Sequence, residues 1–343
     1  MKPKKVTLSS IATELQVSKT LVSLVLNGKA DALAINKLTQ QKVLDKAREL
    51  NYKPNQVARG LRMGQTKTLG LLVADISNPF YARITRTIEH EAEKAGYSLI
   101  VCSSDESKER EIRLLKTLLN RQVDGIIMTT TLHDPKILQQ LLPHRFPLVL
   151  VDRSLAGFES NFVGVDNAIS AENAINHLIE IGHKNIGFLT LTPDYISSLS
   201  ERKAGYLHAL ERHSIAVNNN YILQLDYLKI KNKDYSQLYQ FLLDYPEITA
   251  VFSANNNLAV ACLSIAKTLG RKIPKDLSLI TFDDVELFEY TAPSVSSIAQ
   301  PLEIIGQKSL QILLQQLKND NFTLQKEILS TQLNLRESSC GIK

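Results

Sequence analysis

At four separate places in this chain, polar side chains stand where an apolar run stops or a helical run begins. Asp152-Arg153 follows the apolar stretch 148–151, Arg202 opens a helical run over 200–213, Asn255 follows 250–253, and Asp283 follows 277–282. Carboxylate, amide and guanidinium groups gathered at such positions suit the donors and acceptors of a sugar or similar polyol, with Phe80 or Tyr81 covering an apolar face. Singly, Asp and Asn at a strand end are common turn formers, so the argument rests on the set. Catalytic patterns are absent from the sequence. It has no GxGxxG and no GxxxxGKS/T loop to cradle a phosphate. His208 and His213 are not at the i,i+4 spacing that puts two ligands on one helical face. Asp283 and Asp284, adjacent on a strand, point to opposite faces and make a poor acid–base pair. No enzyme activity, metal or cofactor is expected.

Such residues need a scaffold that gathers separate strand ends. From Thr68 onward, strand-like runs (69–74, 99–102, 125–128, 148–151) alternate with amphipathic helices (81–95, 107–120, 135–142). A second series starts at Val163, with helices over 168–181, 200–213, 235–243 and 256–269 between runs at 186–191, 222–225, 250–253 and 277–282. This alternation predicts an α/β core of parallel sheets flanked by helices. Two series predict two lobes, 66–164 with 299–328 and 165–298 with 329–340, the tail supplying a helix over 302–317 and a strand-like stretch near 326–335. Open α/β sheets bind ligands beyond the carboxyl ends of their strands, and two lobes can present those ends to each other across a cleft.

The first 65 residues follow another rule. They carry twelve Lys and Arg against four Asp and Glu, a net +8, whereas the remainder has 28 against 31, a net −3. A basic head on a mildly acidic body suits a polyanionic partner for the head alone. Thr7, Ser18 and Asn36 are positioned to cap helices over 8–15, 19–26 and 37–51, and Asn27-Gly28 stops the second. A short helix with a small residue (Ala12), a tight turn and a Ser-capped second helix form the helix-turn-helix layout, predicted for residues 1–54. Lys19, Thr20, Ser23 and Leu24 would then face outward, with Val22, Val25 and Leu26 inward. Residues 55–65 read as a linker or hinge, too weak a helix to persist alone. Cys102, Cys262 and Cys340 are far apart and odd in number, so a reducing compartment is expected. With no signal-type apolar segment, that compartment is the cytoplasm.

These segments resemble the lactose-repressor (LacI/GalR) family. The resemblance is carried by Val6-Thr-Leu-Ser-Ser-Ile-Ala12, Leu50-Asn-Tyr-Lys-Pro-Asn-Gln-Val-Ala-Arg-Gly-Leu61, Asp75-Ile-Ser-Asn-Pro-Phe-Tyr81, Asp152-Arg153, Arg202-Lys-Ala-Gly-Tyr206, Phe282-Asp-Asp284 and Gln300-Pro301. It implies a homodimer on a near-palindromic operator, with a sugar-like effector in the cleft of a periplasmic-binding-protein-like core. DNA contacts are implied for Thr7, Ser18, Lys19, Thr20, Ser23, Leu24, Asn27 and Tyr52, and in the hinge for Asn55, Arg59, Leu61 and Arg62, with Leu61 as a minor-groove wedge. Effector contacts are implied for Phe80, Tyr81, Asp152, Arg153, Arg202, Asn255, Asp283 and Gln300. The chain also departs from the family. Leu24 replaces a usual Arg on the recognition helix, the loop 29–35 is longer, Asn256 replaces a usual Asp, and Thr281 stands where Gly is frequent. A ligand-controlled repressor or activator of carbohydrate use is expected. The alternative is a solute-binding receptor with no DNA role, which the basic head opposes. The chain closes soon after its last strand without a leucine-heptad helix, so a dimer is expected rather than a tetramer.

Overall fold

Short side chains start each helix of the head. The computed structural model describes residues 6–52, 65–319 and 322–339, and the chain divides into two units, Met1–Thr66 and Lys67–Lys343. Helix α1 (Leu8–Leu15) begins with a capping box: the Thr7 hydroxyl accepts the Ser10 N–H and the Ser10 hydroxyl accepts the Thr7 N–H, each at 3.2 Å. Gln16, in the left-handed region at φ 52, turns the chain. Ser18 then caps α2 (Lys19–Leu26) through the Leu21 N–H at 3.1 Å, and Gly28 at φ +70 follows the helix. Asn36 caps α3 (Lys37–Glu49). Ile11, Ala12, Val22, Val25, Val43 and Ala47 close a small core among the three helices. Helix α3 stops short of the predicted Asn51, because Asn51 turns left-handed (φ 50) and the Tyr52 N–H returns to the Ala47 carbonyl at 2.8 Å. The long loop folds into a 3-10 turn, Asp31–Leu33, pinned where Asp31 accepts from Lys37 (2.6 Å) and Gln40 (2.8 Å). Hinge residues Asn55, Arg59, Leu61 and Arg62 lie outside the described residues.

The second unit is α/β throughout. Its first series is β1 (Thr68–Val73), α4 (Pro79–Lys94), β2 (Ser98–Ser103), α5 (Lys108–Asn120), β3 (Gly125–Met128), α6 (Pro135–Leu141), β4 (Leu148–Val151) and β5 (Asn161–Val165). Next come α7 (Asn167–Glu180), β6 (Ile186–Leu191), α8 (Ser197–Arg212), β7 (Ile222–Leu225), α9 (Tyr227–Lys231) and α10 (Ser236–Asp244). The chain continues with β8 (Ala250–Ser253), α11 (Asn256–Thr268), β9 (Ser278–Phe282), α12 (Leu287–Tyr290) and β10 (Ser296–Ala299). Helix α13 (Leu302–Lys318) and strands β11 (Lys326–Leu329) and β12 (Gln332–Asn334) finish it. One six-stranded sheet has the order β11-β5-β4-β3-β1-β2, and the other β12-β10-β9-β8-β6-β7. All pairings are parallel except that of β12 with β10. Strands β3, β4, β5, β6, β8 and β9 are buried at every position, the mark of parallel strands covered on both faces.

The chain passes from one sheet to the other after β5, after β10 and after β11. The stretch near 326–335 is therefore two strands in different sheets, divided at Ser330-Thr331. Arg202, expected at a helix start, lies inside α8. That helix begins at Ser197 because Ser198 and Leu199 are buried, and packing overrides the weak helix propensity of serine. Helices α9 and α12 were not expected, being too short to show a period.

Helices α7 and α8 pack with almost no separation at Gly205. A Cβ there would lie 2.1 Å from the Ala168 carbonyl oxygen and 2.9 Å from the Ala171 Cβ. Gly205→Ala is expected to force the helices apart and destabilise the core by about 2 kcal/mol or more, read as a lowered calorimetric midpoint. An unchanged midpoint would mean the pair separates freely.

Candidate functional site

Arg202 sits at the centre of a buried polar cluster between the two sheets' strand ends. Its guanidinium lies over the Phe282 ring, 3.6 Å from the centroid, and is 3% exposed as a residue. Nε donates to Asn167 Oδ1 (2.9 Å) and Nη1 to the Ala254 carbonyl (2.6 Å). Two carboxylates flank it at 3.8 Å, Asp152 from the end of β4 and Asp283 from the end of β9. Both acids sit in left-handed backbone, φ 66 and φ 70, which is uncommon for residues with side chains and concentrates at ligand sites. Tyr81 donates its hydroxyl to Asp152 Oδ2 (3.0 Å), with Phe80 edge-on to the Tyr81 ring. Gln300, on the second crossing, donates to Asp283 Oδ1 (2.7 Å). Arg153 turns both terminal nitrogens to Glu106 at 2.6 Å each.

The structure thus brings together seven of the eight residues expected around a ligand: Phe80, Tyr81, Asp152, Arg153, Arg202, Asp283 and Gln300. Asn255 instead spends its Oδ1 on capping α11, accepting the Leu258 N–H at 3.0 Å. The next residue, Asn256, is buried and pairs reciprocally with Asn78 across the lobes at 3.2 and 3.0 Å. Further contacts close the cleft: Tyr227 donates to Asp75 Oδ2 (2.6 Å), Ser154 N–H to the Ser197 hydroxyl (2.9 Å), and Tyr195 to the Thr131 carbonyl (3.3 Å). Glu111, fully buried on α5, accepts from the Thr130 hydroxyl and the Thr131 N–H and hydroxyl, holding the loop that Tyr195 meets.

Glu106, Glu111, Asn167, Asp75, Asn78 and Tyr227 were not among the expected ligand residues. Glu106 and Asn167 follow β2 and β5 by a few residues, so the strand-end rule applied to every strand would have found them. Glu111 carries no such signal, because a Glu in a helix's first turn reads as solvated. A cavity of about 1160 Å³, lined by Leu138, Phe146, Phe158 and Phe322 among others, shares none of the cleft residues. Among the described residues no cluster of His, Cys, Asp or Glu is placed to hold a metal ion, and no helix is long and apolar enough to cross a membrane.

In the head, Lys19, Thr20, Thr7, Ser18 and Asn27 are exposed, and Ser23, Leu24 and Tyr52 are half-buried. Tyr52 packs on the head's core. The first turn of α2 holds no acidic residue, so the positive end of its dipole adds to the Lys19 charge. The Asn27 amide donates to the Ser23 carbonyl at 2.7 Å, which fixes the end of α2.

Burial pushes the Asp283 carboxyl up to about 6; Arg202 opposes the shift and the Asp152 charge adds to it. The folded protein therefore holds this proton more tightly than the unfolded chain, and the group's contribution to stability falls as pH rises from about 4 through 6. Asp283→Asn is expected to abolish this fall, so that the variant's stability relative to the parent is higher at pH 7.5 than at pH 4 by about 2–3 kcal/mol, whatever fixed cost the lost carboxylate carries. Calorimetry at the two pH values reads this, and an offset between the two proteins that is independent of pH would contradict it.

The periplasmic binding protein-like domain family matches residues 175–339. Catabolite control protein A of Priestia megaterium is 30% identical over 334 residues, 97% of this chain and 99% of that protein. The ribose operon repressor of Haemophilus influenzae is 32% identical over 342 residues, 98% and 99% of the two chains. Among solved structures, the lac repressor dimer bound to operator and the anti-inducer ONPF aligns with a TM-score of 0.83 at 25% identity, covering 98% of this chain and all of that one. With relatives matching from the helix-turn-helix head to the final strands, the chain belongs to the lactose-repressor (LacI/GalR) family of transcription regulators.

Proposed function

We infer that this regulator binds a near-palindromic operator as a homodimer and that a small, sugar-like effector held in the cleft sets its DNA affinity. The observation that carries this reading is the Arg202 cluster. One buried guanidinium is flanked by Asp152 from one lobe and Asp283 from the other, so a ligand that inserts there bears on the position of both lobes. The ribose operon repressor and the operator-bound lac repressor dimer support a repressor of carbohydrate-utilisation genes. In this reading residues 1–54 form the DNA-binding domain and 55–65 the hinge. The lobes are 66–164 with 299–328 and 165–298 with 329–340. Lys19, Thr20, Ser23 and Leu24 face the bases. Thr7, Ser18, Asn27, Tyr52, Asn55, Arg59 and Arg62 engage the backbone, and Leu61 wedges into the minor groove. The protein works in the cytoplasm and catalyses no reaction. An effector's leverage on DNA affinity cannot exceed its differential affinity for the two core states.

Two heads bring many cations to phosphate, so operator affinity should fall about a thousandfold or more between 50 and 200 mM salt. Deleting residues 1–65 should abolish the gel shift while the core stays folded, and a truncated core that still shifts operator DNA would sink the reading.

The second expectation concerns base recognition. Leu24 offers only apolar contact, for example to a thymine methyl, where Arg would read guanine in two hydrogen bonds. Leu24→Arg should change the preferred half-site, by about 1–3 kcal/mol at one base pair, in a selection from random DNA. An unaltered consensus would mean that Leu24 does not meet the bases.

A further inference from the structure

Two buried polar atoms in the cleft have no hydrogen-bond partner: Asp152 Oδ1 and Arg153 Nε. Both residues are 6% exposed, and Arg153 Nε lies 3.6 Å from the other oxygen of Asp152. Buried orphans of this kind ask for a ligand that supplies what the protein withholds. The carboxylate oxygen can only accept and the guanidinium N–H can only donate. An alcohol does both, so one hydroxyl, or two on adjacent carbons, satisfies the pair. A carboxylate or phosphoryl oxygen satisfies Nε but turns a lone pair and a negative charge onto Asp152.

An anionic ligand also needs a cation, and the cations at the cleft are already matched. Glu106 holds both terminal nitrogens of Arg153 at 2.6 Å. Arg202 lies between Asp152 and Asp283. Lys231 lies 3.4 Å from Asp105 and 3.9 Å from Asp75. Asp105 is also held by Arg110 at 2.6 Å, so four cations stand against five carboxylates and the cleft is slightly negative before any ligand arrives. Burial pulls the Arg153 charge down, but Glu106 and its neighbours more than restore it, so the guanidinium stays charged. Removing Glu106 alone would therefore expose a ready anion-binding fork, since two parallel N–H groups of Arg suit a carboxylate or phosphate.

We propose that Glu106 is a charge filter. By occupying the terminal nitrogens of Arg153, it makes the cleft take an uncharged polyhydroxylated ligand and turn away the phosphorylated or carboxylated form of the same sugar. This rests on the reading of the cleft as the effector site and narrows it to one class of ligand. Glu106 is a specificity-determining residue in this scheme, acting through Arg153.

The test is titration calorimetry on the full-length protein with matched probes: ribose against ribose 5-phosphate, glucose against glucose 6-phosphate and gluconate, and cellobiose against cellobionate. For each set that binds, the neutral member should bind tighter by roughly ten- to a hundredfold. Glu106→Gln should shrink or invert that ratio, and Glu106→Asp, which keeps the charge, should largely preserve it. Because the readout is a ratio measured on one folded protein, a modest loss of stability in either variant leaves it legible. An acid or phosphate that binds the parent as tightly as its neutral counterpart overturns the filter, as does a ratio that Glu106→Gln leaves unmoved. Arg202→Ala separates the two layers of the argument. Anionic binding that Arg202→Ala abolishes refutes only the filter, whereas sugar binding that survives Arg202→Ala refutes the cleft assignment itself.

Discussion

A positive charge buried between two lobes must be neutralised from both sides, and Arg202 imposes that condition on the core. Water is excluded from its guanidinium, so every donor needs a fixed partner, and removing one member of such a group typically costs about 3–5 kcal/mol. The five partners come from four places in the chain: Asn167 at the start of α7, the Ala254 carbonyl after β8, Asp152 after β4, and the end of β9, which supplies both Asp283 and the Phe282 ring beneath. The strands must end where they do for these groups to converge. Helix α8 must also press close to α7, which explains why its contact face carries glycine one turn beyond Arg202.

The same condition sets polar contacts between the strand ends of the two sheets. Contacts across the lobes include hydrogen bonds between polar groups, such as Tyr227 to Asp75 and the Asn78–Asn256 amide pair, beside an apolar cluster whose buried residues come from both sheets. Polar groups of this kind exchange protein partners for water at small net cost. Asp75 is held below the usual carboxylate range: burial pushes it up, but hydrogen bonds from Ser77 and Tyr227 and the charge of Lys231 outweigh that. It therefore remains an ionised acceptor across the neutral pH range. In the proposed reading, a ligand that replaces the Asp152–Arg202 contact with its own hydroxyls would shift the balance between closed and open lobes.

Much of this was legible in the sequence, because strand ends in an alternating β/α chain are local features. Asp152, Arg153 and Asp283 declared themselves by following apolar runs, and Thr7, Ser18 and Asn36 by preceding helical ones. Other positions depend on packing that no local window contains. Asn255 looked like a ligand residue, yet an Asn before a helix is also an N-cap, and the cap took its oxygen. Arg202 was displaced from helix start to helix interior by the burial of Ser198 and Leu199. Glu111 was invisible because its partners, Thr130 and Thr131, come from a loop beyond the next strand. The split of 326–335 between two sheets depends on a pairing partner more than 150 residues away for β11 and on a nearer one, β10, for β12.

That split has a consequence for how the protein is made. Strand β11 forms one edge of the first sheet and β12 one edge of the second, and they are separated by two residues. Chains emerging from the ribosome usually complete their domains in order, the N-terminal one first. Here neither sheet can gain its last strand until the final stretch of the core has been synthesised, so the two lobes mature together. The head, whose core draws only on residues within the first unit, is under no such delay. A nascent chain therefore carries a finished DNA-binding head for the whole time that its sensing core is still incomplete.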